Sequence, residues 1–137
     1  MVNLNLEVGL TFDGLGKVFQ DGERIVTQGE VGDCMYVIQK GLVEISMYSQ
    51  DGESVLATLK AGTVFGEMSL FTKEPRSASV RAKGKTRVLT IDKRGFFKRV
   101  HEDPSLAFRI LLKMSRRIEK LNREVMRLRK ELKSAVN

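Results

Sequence analysis

Cys34-Met-Tyr-Val-Ile-Gln-Lys-Gly-Leu-Val-Glu-Ile-Ser-Met-Tyr-Ser-Gln-Asp-Gly-Glu-Ser-Val-Leu-Ala-Thr-Leu59 is the stretch that decides the fold. Cys34–Ile38 is a short apolar run that stops before Lys40-Gly41, and Val43-Glu-Ile-Ser-Met47 alternates inward and outward residues with the period of two that a pleated strand imposes. Asp51-Gly52 is the clearest turn, because a tight hairpin asks for positive φ at its central positions, which glycine accepts freely and aspartate tolerates. Ser54–Leu59 is therefore expected to return antiparallel to the strand before it.

The same texture extends both ways. Arg24-Ile-Val-Thr27 precedes the turn Gln28-Gly29-Glu30, and further strands are expected over Ser77–Ala82 and Arg87–Ile91. Turn signals recur at about the 8 to 12 residues typical of sandwiches and barrels, so Lys17 to Asp92 reads as an all-β body. Asp92 is placed to cap a short helix through Val100, and Asp103-Pro104 starts a second one, with proline where its missing N–H costs nothing. In that long helix Leu111, Met114, Ile118, Leu121, Val125, Leu128 and Leu132 recur at spacings of three and four, the seam of a coiled coil. Leu111, Ile118, Val125 and Leu132 take the a positions and Met114, Leu121 and Leu128 the d positions, which predicts a parallel homodimer with Glu124 facing Arg129 across it. Three regions result: a lead-in over 1–16, a β-roll over 17–101 and a dimerisation helix over 102–137.

Composition bounds the functions available. A chain of 137 residues with 42% hydrophobic and 30% charged residues is ordinary for one globular domain. No apolar run approaches the length of about 20 residues that a membrane-spanning helix requires, and Met1-Val-Asn-Leu-Asn-Leu6 carries no basic leader, so a cytoplasmic setting is expected without membrane association. The net charge of +7 is concentrated in residues 101–137, with 10 Lys and Arg against 5 Asp and Glu, and reads as a solvated helix face. A lone cysteine, Cys34, reads as a small buried hydrophobe, and a lone histidine, His101, cannot assemble the ligand cluster of a metalloenzyme or a haem or iron–sulfur sensor. With no nucleophile–base pair in view, no enzymatic activity, metal or cofactor is expected.

Phe65-Gly-Glu-Met-Ser-Leu-Phe71, followed by Pro75-Arg-Ser-Ala-Ser-Val80, carries the chemistry. A glycine before one helical turn lets a ligand approach the backbone, and the N–H groups of Gly66 to Met68 suit a small anion. Arg76 offers a planar fork matching two phosphate oxygens. Glu67 would repel a phosphate, so it is better placed to accept sugar hydroxyls. Phosphate and ribose together make a nucleotide.

These segments, with Val18–Ile25, Gln28–Asp33, Met35–Ile38, Gly41 and the Asp103-Pro104 helix, resemble the cyclic-nucleotide-binding domain family over most of the chain. The resemblance implies an antiparallel jelly-roll-like β-barrel followed by a short helix and a long C-terminal coiled-coil helix. It also implies a sensor whose ligand is cAMP or cGMP, with Arg76 gripping the cyclic phosphate and Glu67 accepting the ribose 2′-hydroxyl. The backbone around Phe65, Gly66, Met68, Ser77 and Ala78 would complete the cradle, while Asn122 is a candidate base reader and Ile45, Leu56 and Val64 candidate lining. Serine at 77 does not choose between the two purines. Catabolite-activator-type regulators place a helix-turn-helix after such a helix; none is legible before Asn137, which argues against DNA as a partner. The alternatives are a fragment of such a regulator or other larger signalling protein, or a module that dimerises without ligand. Occupancy would be relayed through the long helix, directly or by way of Phe96 and Phe97.

Overall fold

The computed structural model describes residues 14 to 136, so residues 1–13 of the expected lead-in lie outside the described residues. The strands are β1 (Lys17–Phe19), β2 (Arg24–Val26), β3 (Cys34–Ser49), β4 (Gly52–Lys60), β5 (Val64–Phe65) and β6 (Ser79–Asp92), and the helices are α1 (Met68–Phe71), α2 (Lys93–Glu102) and α3 (Ser105–Val136). All strand pairing is antiparallel: β1, β6, β3 and β4 lie in that order, with β2 also on β6 and β5 also on β3. The expected antiparallel roll followed by helices is present.

The hairpin of β3 and β4 runs from Leu42 opposite Lys60 to Ser49 opposite Gly52, so its two loop residues are Gln50 and Asp51, neither at positive φ, and Gly52 carries the positive φ one position later than expected, as the first paired residue of β4. Two expectations need correction. The runs 34–38 and 43–47 are one strand, β3, and the segments expected over 77–82 and 87–91 are likewise one strand, β6, which starts only at Ser79. Both survive their glycines because they pair with each other along nearly their whole length, from Cys34 opposite Asp92 to Ser46 opposite Ser79. Lys40-Gly41 produces bulges in that ladder instead of ending it, and the Thr86 hydroxyl donates to the Leu42 and Gly84 carbonyls there.

The apolar residues divide into two clusters. Phe19, Val26, Ile38, Val43, Ile45, Phe65 and Val80 fill the interior of the roll, while Met35, Val37, Val64, Leu70, Leu89, Ile91, Phe96 and Leu106 join its outer face to the helices. Alternation over Met35–Ile38 therefore buries both faces of β3 there, one in each cluster, while further along Val43 and Ile45 point into the first cluster and Leu42 and Tyr48 are exposed on the other face. Each such fully buried side chain contributes about 1.5–3 kcal/mol.

The helix caps follow the sequence. Asp92 accepts a hydrogen bond from the Gly95 N–H at 2.7 Å, and Asp103 accepts from the Ser105 N–H at 3.2 Å and from its hydroxyl at 2.5 Å. The first half of α3 lays the stripe Leu106, Ile110, Lys113 and Arg117 toward the roll, at the spacing of one helix face. The a positions Leu111, Ile118, Val125 and Leu132 stay exposed, at 65%, 57%, 45% and 66%. Glu124 is held within its own helix by Arg127, which also bonds Glu131, so in the single chain it does not await Arg129. Among the described residues no helix is long and apolar enough to cross a membrane.

Candidate functional site

Between β2, the α1 turn and the segment leading into β6 lies a cavity of about 300 Å³. Of the eight binding residues expected from sequence, seven line it: Phe65, Gly66, Glu67, Met68, Arg76, Ser77 and Ala78. Asn122 does not; it is exposed on α3, beyond Arg117, the residue of that helix that reaches the cavity. Of the candidate lining residues, Ile45 is in the wall, Val64 is packed behind it in the second cluster, and Leu56 is 36% exposed on β4. With Val26 and Val80 beside Ile45, one side of the cavity is apolar, and the charged groups stand on the others.

Arg76 is fixed by its backbone before its side chain acts. Its N–H donates to the Glu30 carbonyl at 2.9 Å, its own carbonyl accepts from the Gly29 N–H at 2.8 Å, and Pro75 bridges Val31. The segment is thus pinned to the turn after β2. The guanidinium donates to the Cys34 carbonyl at 3.1 Å and lies over the Tyr36 ring, 5.4 Å from its centre, while Tyr36 stacks on Phe65 at 5.0 Å. Burial pushes the Tyr36 hydroxyl up to about 12, so that ring stays neutral beneath the cation. Two glycines make room for the fork: a Cβ on Gly32 would come within 2.1 Å of Arg76 Nη2, and one on Gly66, whose φ is +72°, within 2.7 Å of Nη1. Cys34, expected to do nothing, contributes its carbonyl here and is only half-buried.

Glu67 stands at the start of α1 and is 4% exposed. Its carboxylate accepts a hydrogen bond from Arg117 at 3.0 Å, an ion pair reaching from α3 across 50 residues of sequence. Burial pushes the Glu67 carboxyl above the ordinary carboxylate range, and its own backbone N–H, Arg117 and Lys113 pull it back. Sequence reasoning missed Arg117 and Lys113. Both lie off the apolar a and d stripe, and hydrophobic periodicity is blind to a helix face that ends in cations. Chemically, the cavity offers a fixed guanidinium at one place, a buried carboxylate with a helix-borne cation at another, and an apolar wall between. Among the described residues no three His, Cys, Asp or Glu side chains gather as metal ligands would.

This arrangement agrees with the likenesses to known proteins. The chain is 41% identical over 80 residues to a cAMP-dependent protein kinase regulatory subunit of Yarrowia lipolytica, an alignment that covers 58% of this chain and 21% of that protein. It is 42% identical over 80 residues to the cyclic nucleotide-gated channel beta-3 of Mus musculus, covering 56% of this chain and 11% of the channel. It therefore spans about a fifth of one of these relatives and about a tenth of the other. In three dimensions it is similar to the catabolite activator protein of Thermus thermophilus, with a TM-score of 0.75 and 29% identity over 82% of this chain and 53% of that one. The model of the cyclic nucleotide-binding domain matches residues 16–103, from the start of β1 to the cap of α3. With well over half its length matched and Arg76 and Glu67 lining one cavity, the chain belongs to the cyclic nucleotide-binding domain family.

Proposed function

We propose that this domain binds cAMP or cGMP in the 300 Å³ cavity, with Arg76 on the cyclic phosphate, Glu67 on the ribose 2′-hydroxyl and the base against Val26, Ile45 and Val80. The observation that carries the reading is that one cavity holds both a pinned guanidinium and a buried carboxylate, the two charges a nucleotide needs for its two polar parts. Ser77 and Ala78, in the bend just before β6, close the phosphate side. The role is regulatory and not catalytic, supported by the kinase regulatory subunit among the relatives. Residues 17–101 make up the sensor and residues 102–137 its output helix.

In this reading α3 reports occupancy, because Arg117 holds the carboxylate that the ribose would engage. A ligand shifts an equilibrium only through its differential affinity for two states, and the Glu67–Arg117 contact is a place where helix position and ligand meet. Titrating the chain with cAMP and cGMP in a calorimeter tests this reading. Saturable binding of one nucleotide per chain is expected, and the absence of binding to either would overturn it.

The exposed a positions of α3 favour assembly into a parallel homodimer. Exchanging Ile118 and Val125 for aspartate is expected to leave the roll folded and to convert a sedimenting dimer into a monomer. Sedimentation that is unaltered would show that this seam is not the interface.

A further inference from the structure

Behind Glu67, on the side away from the nucleotide cavity, is a recess of about 20 Å³ walled by Met35, Val64, Phe71 and Phe96. Lys113 closes it from α3. The residue is 4% exposed, and its ammonium is sealed from solvent without a hydrogen-bond partner among the described residues. A buried charge left unpaired is costly, and a methionine or leucine would satisfy these apolar walls better. The position therefore needs an explanation from charge, since packing does not supply one.

The charges around it are few. β3 and β5 present Met35 and Val64, α1 presents Phe71, α2 presents Phe96, and α3 itself adds Ile110 and Met114, so among the described residues the one carboxylate lining the recess is Glu67. Arg117, one turn further along α3, takes that carboxylate from the cavity side. The anion thus has Arg117 in direct contact and Lys113 in the recess behind it, not hydrogen-bonded to it, and Arg117 alone would balance its charge. The second cation becomes useful when a sugar hydroxyl competes with Arg117 for the same oxygens, because an ionised carboxylate accepts a hydrogen bond more strongly than a protonated one and burial works against ionisation.

We propose that Lys113 is a positioning residue for Glu67: from behind, its ammonium keeps the carboxylate ionised and aimed at the cavity, and so makes nucleotide affinity depend on the charge of a lysine that touches no nucleotide. This rests on the nucleotide reading of the main cavity. Burial lowers the Lys113 ammonium to about 8, with Glu67 holding it up against that fall. The switch therefore lies near neutrality: below pH 8 Glu67 has both cations, and above it Arg117 alone.

Two measurements on the full chain separate this proposal from the reading beneath it. In the nucleotide-free protein, a resonance-assigned titration of the lysine side chains is expected to show Lys113 losing its proton near pH 8, and at a lower pH still in Glu67→Gln. A Lys113 that titrates with the surface lysines, or that ignores Glu67→Gln, overturns the proposal whether or not nucleotide binds. In calorimetry with cAMP, the wild type is expected to lose about tenfold in affinity as the pH rises from 7 to 9.5, whereas Lys113→Met should be weaker at pH 7 and flat over that range. A slope retained in Lys113→Met also overturns it. A wild type that binds no cAMP at all defeats the nucleotide reading and leaves the proton titration to decide the pairing of Lys113 with Glu67.

Discussion

Arg76→Ala is expected to weaken binding of cAMP or cGMP by about 2–5 kcal/mol, which is from about thirtyfold to several thousandfold. The size follows from what the side chain would leave behind: a phosphodiester in a half-enclosed cavity, with no other cation among the described residues that line it once Arg117 is committed to Glu67. The fold should tolerate the change. The hydrogen bonds that pin position 76 to Gly29 and Glu30 are made by its backbone, which alanine retains. Gly32→Ala offers an independent route to the same loss. The three atoms nearest to a Cβ there all belong to the Arg76 guanidinium, and Gly32 has no positive φ that alanine would strain, so the substitution is expected to displace the fork first. Calorimetry on both variants checks the assignment, and unchanged affinity in Arg76→Ala would refute the role given to it.

Glu67→Ala should have the second large effect, and on stability as well as binding. Removing one partner of a buried ion pair leaves the other uncompensated, at a cost of about 3–5 kcal/mol. Here two cations would be stranded, Lys113 fully buried and Arg117 with 21% of its side chain exposed. That residual exposure lets Arg117 rehydrate and puts the expected loss near the lower end, about 3 kcal/mol, in denaturant unfolding. Glu67→Gln, which keeps the shape and an acceptor, should recover part of the packing without the charge. The pH dependence carries a separate signature. The unfolded chain holds the Lys113 proton more tightly than the folded one does, so the wild type should gain stability as the pH rises from about 8 toward the ordinary lysine range, a gain absent from Lys113→Met.

Much of this site could be read in one dimension because its main parts are neighbours in sequence. Gly66 and Glu67 sit on one turn, and Arg76, Ser77 and Ala78 follow within a dozen residues, so their residue types and spacing already mark out one stretch of chain, and the structure places all five around one cavity. The strands and caps were legible for the same reason: Asp51-Gly52, Asp92 and Asp103 act on their own backbone. What sequence did not reveal depends on contacts between distant segments. Two strands were each divided in two, because a glycine that suggests a break can instead be carried as a bulge when a long partner strand holds both sides, as at Gly41. The Cys34 carbonyl became a partner of Arg76 only through the register of β3, since a backbone acceptor has no residue signature. Lys113 and Arg117 were absorbed into a basic helix face, yet α3 turns that face onto the roll for its first three turns and away from it afterwards.

The central claim is that the guanidinium of Arg76 and the carboxylate of Glu67 grip the two polar halves of one cyclic nucleotide. Calorimetric titration of the wild-type chain with cAMP, 2′-deoxy-cAMP and 5′-AMP tests it most directly. Tight, saturable binding of cAMP, with clear weakening when the 2′-hydroxyl is removed and again when the phosphate ring is open, is the predicted result. Equal affinity for all three, or no saturable binding of cAMP at millimolar concentration, would contradict it.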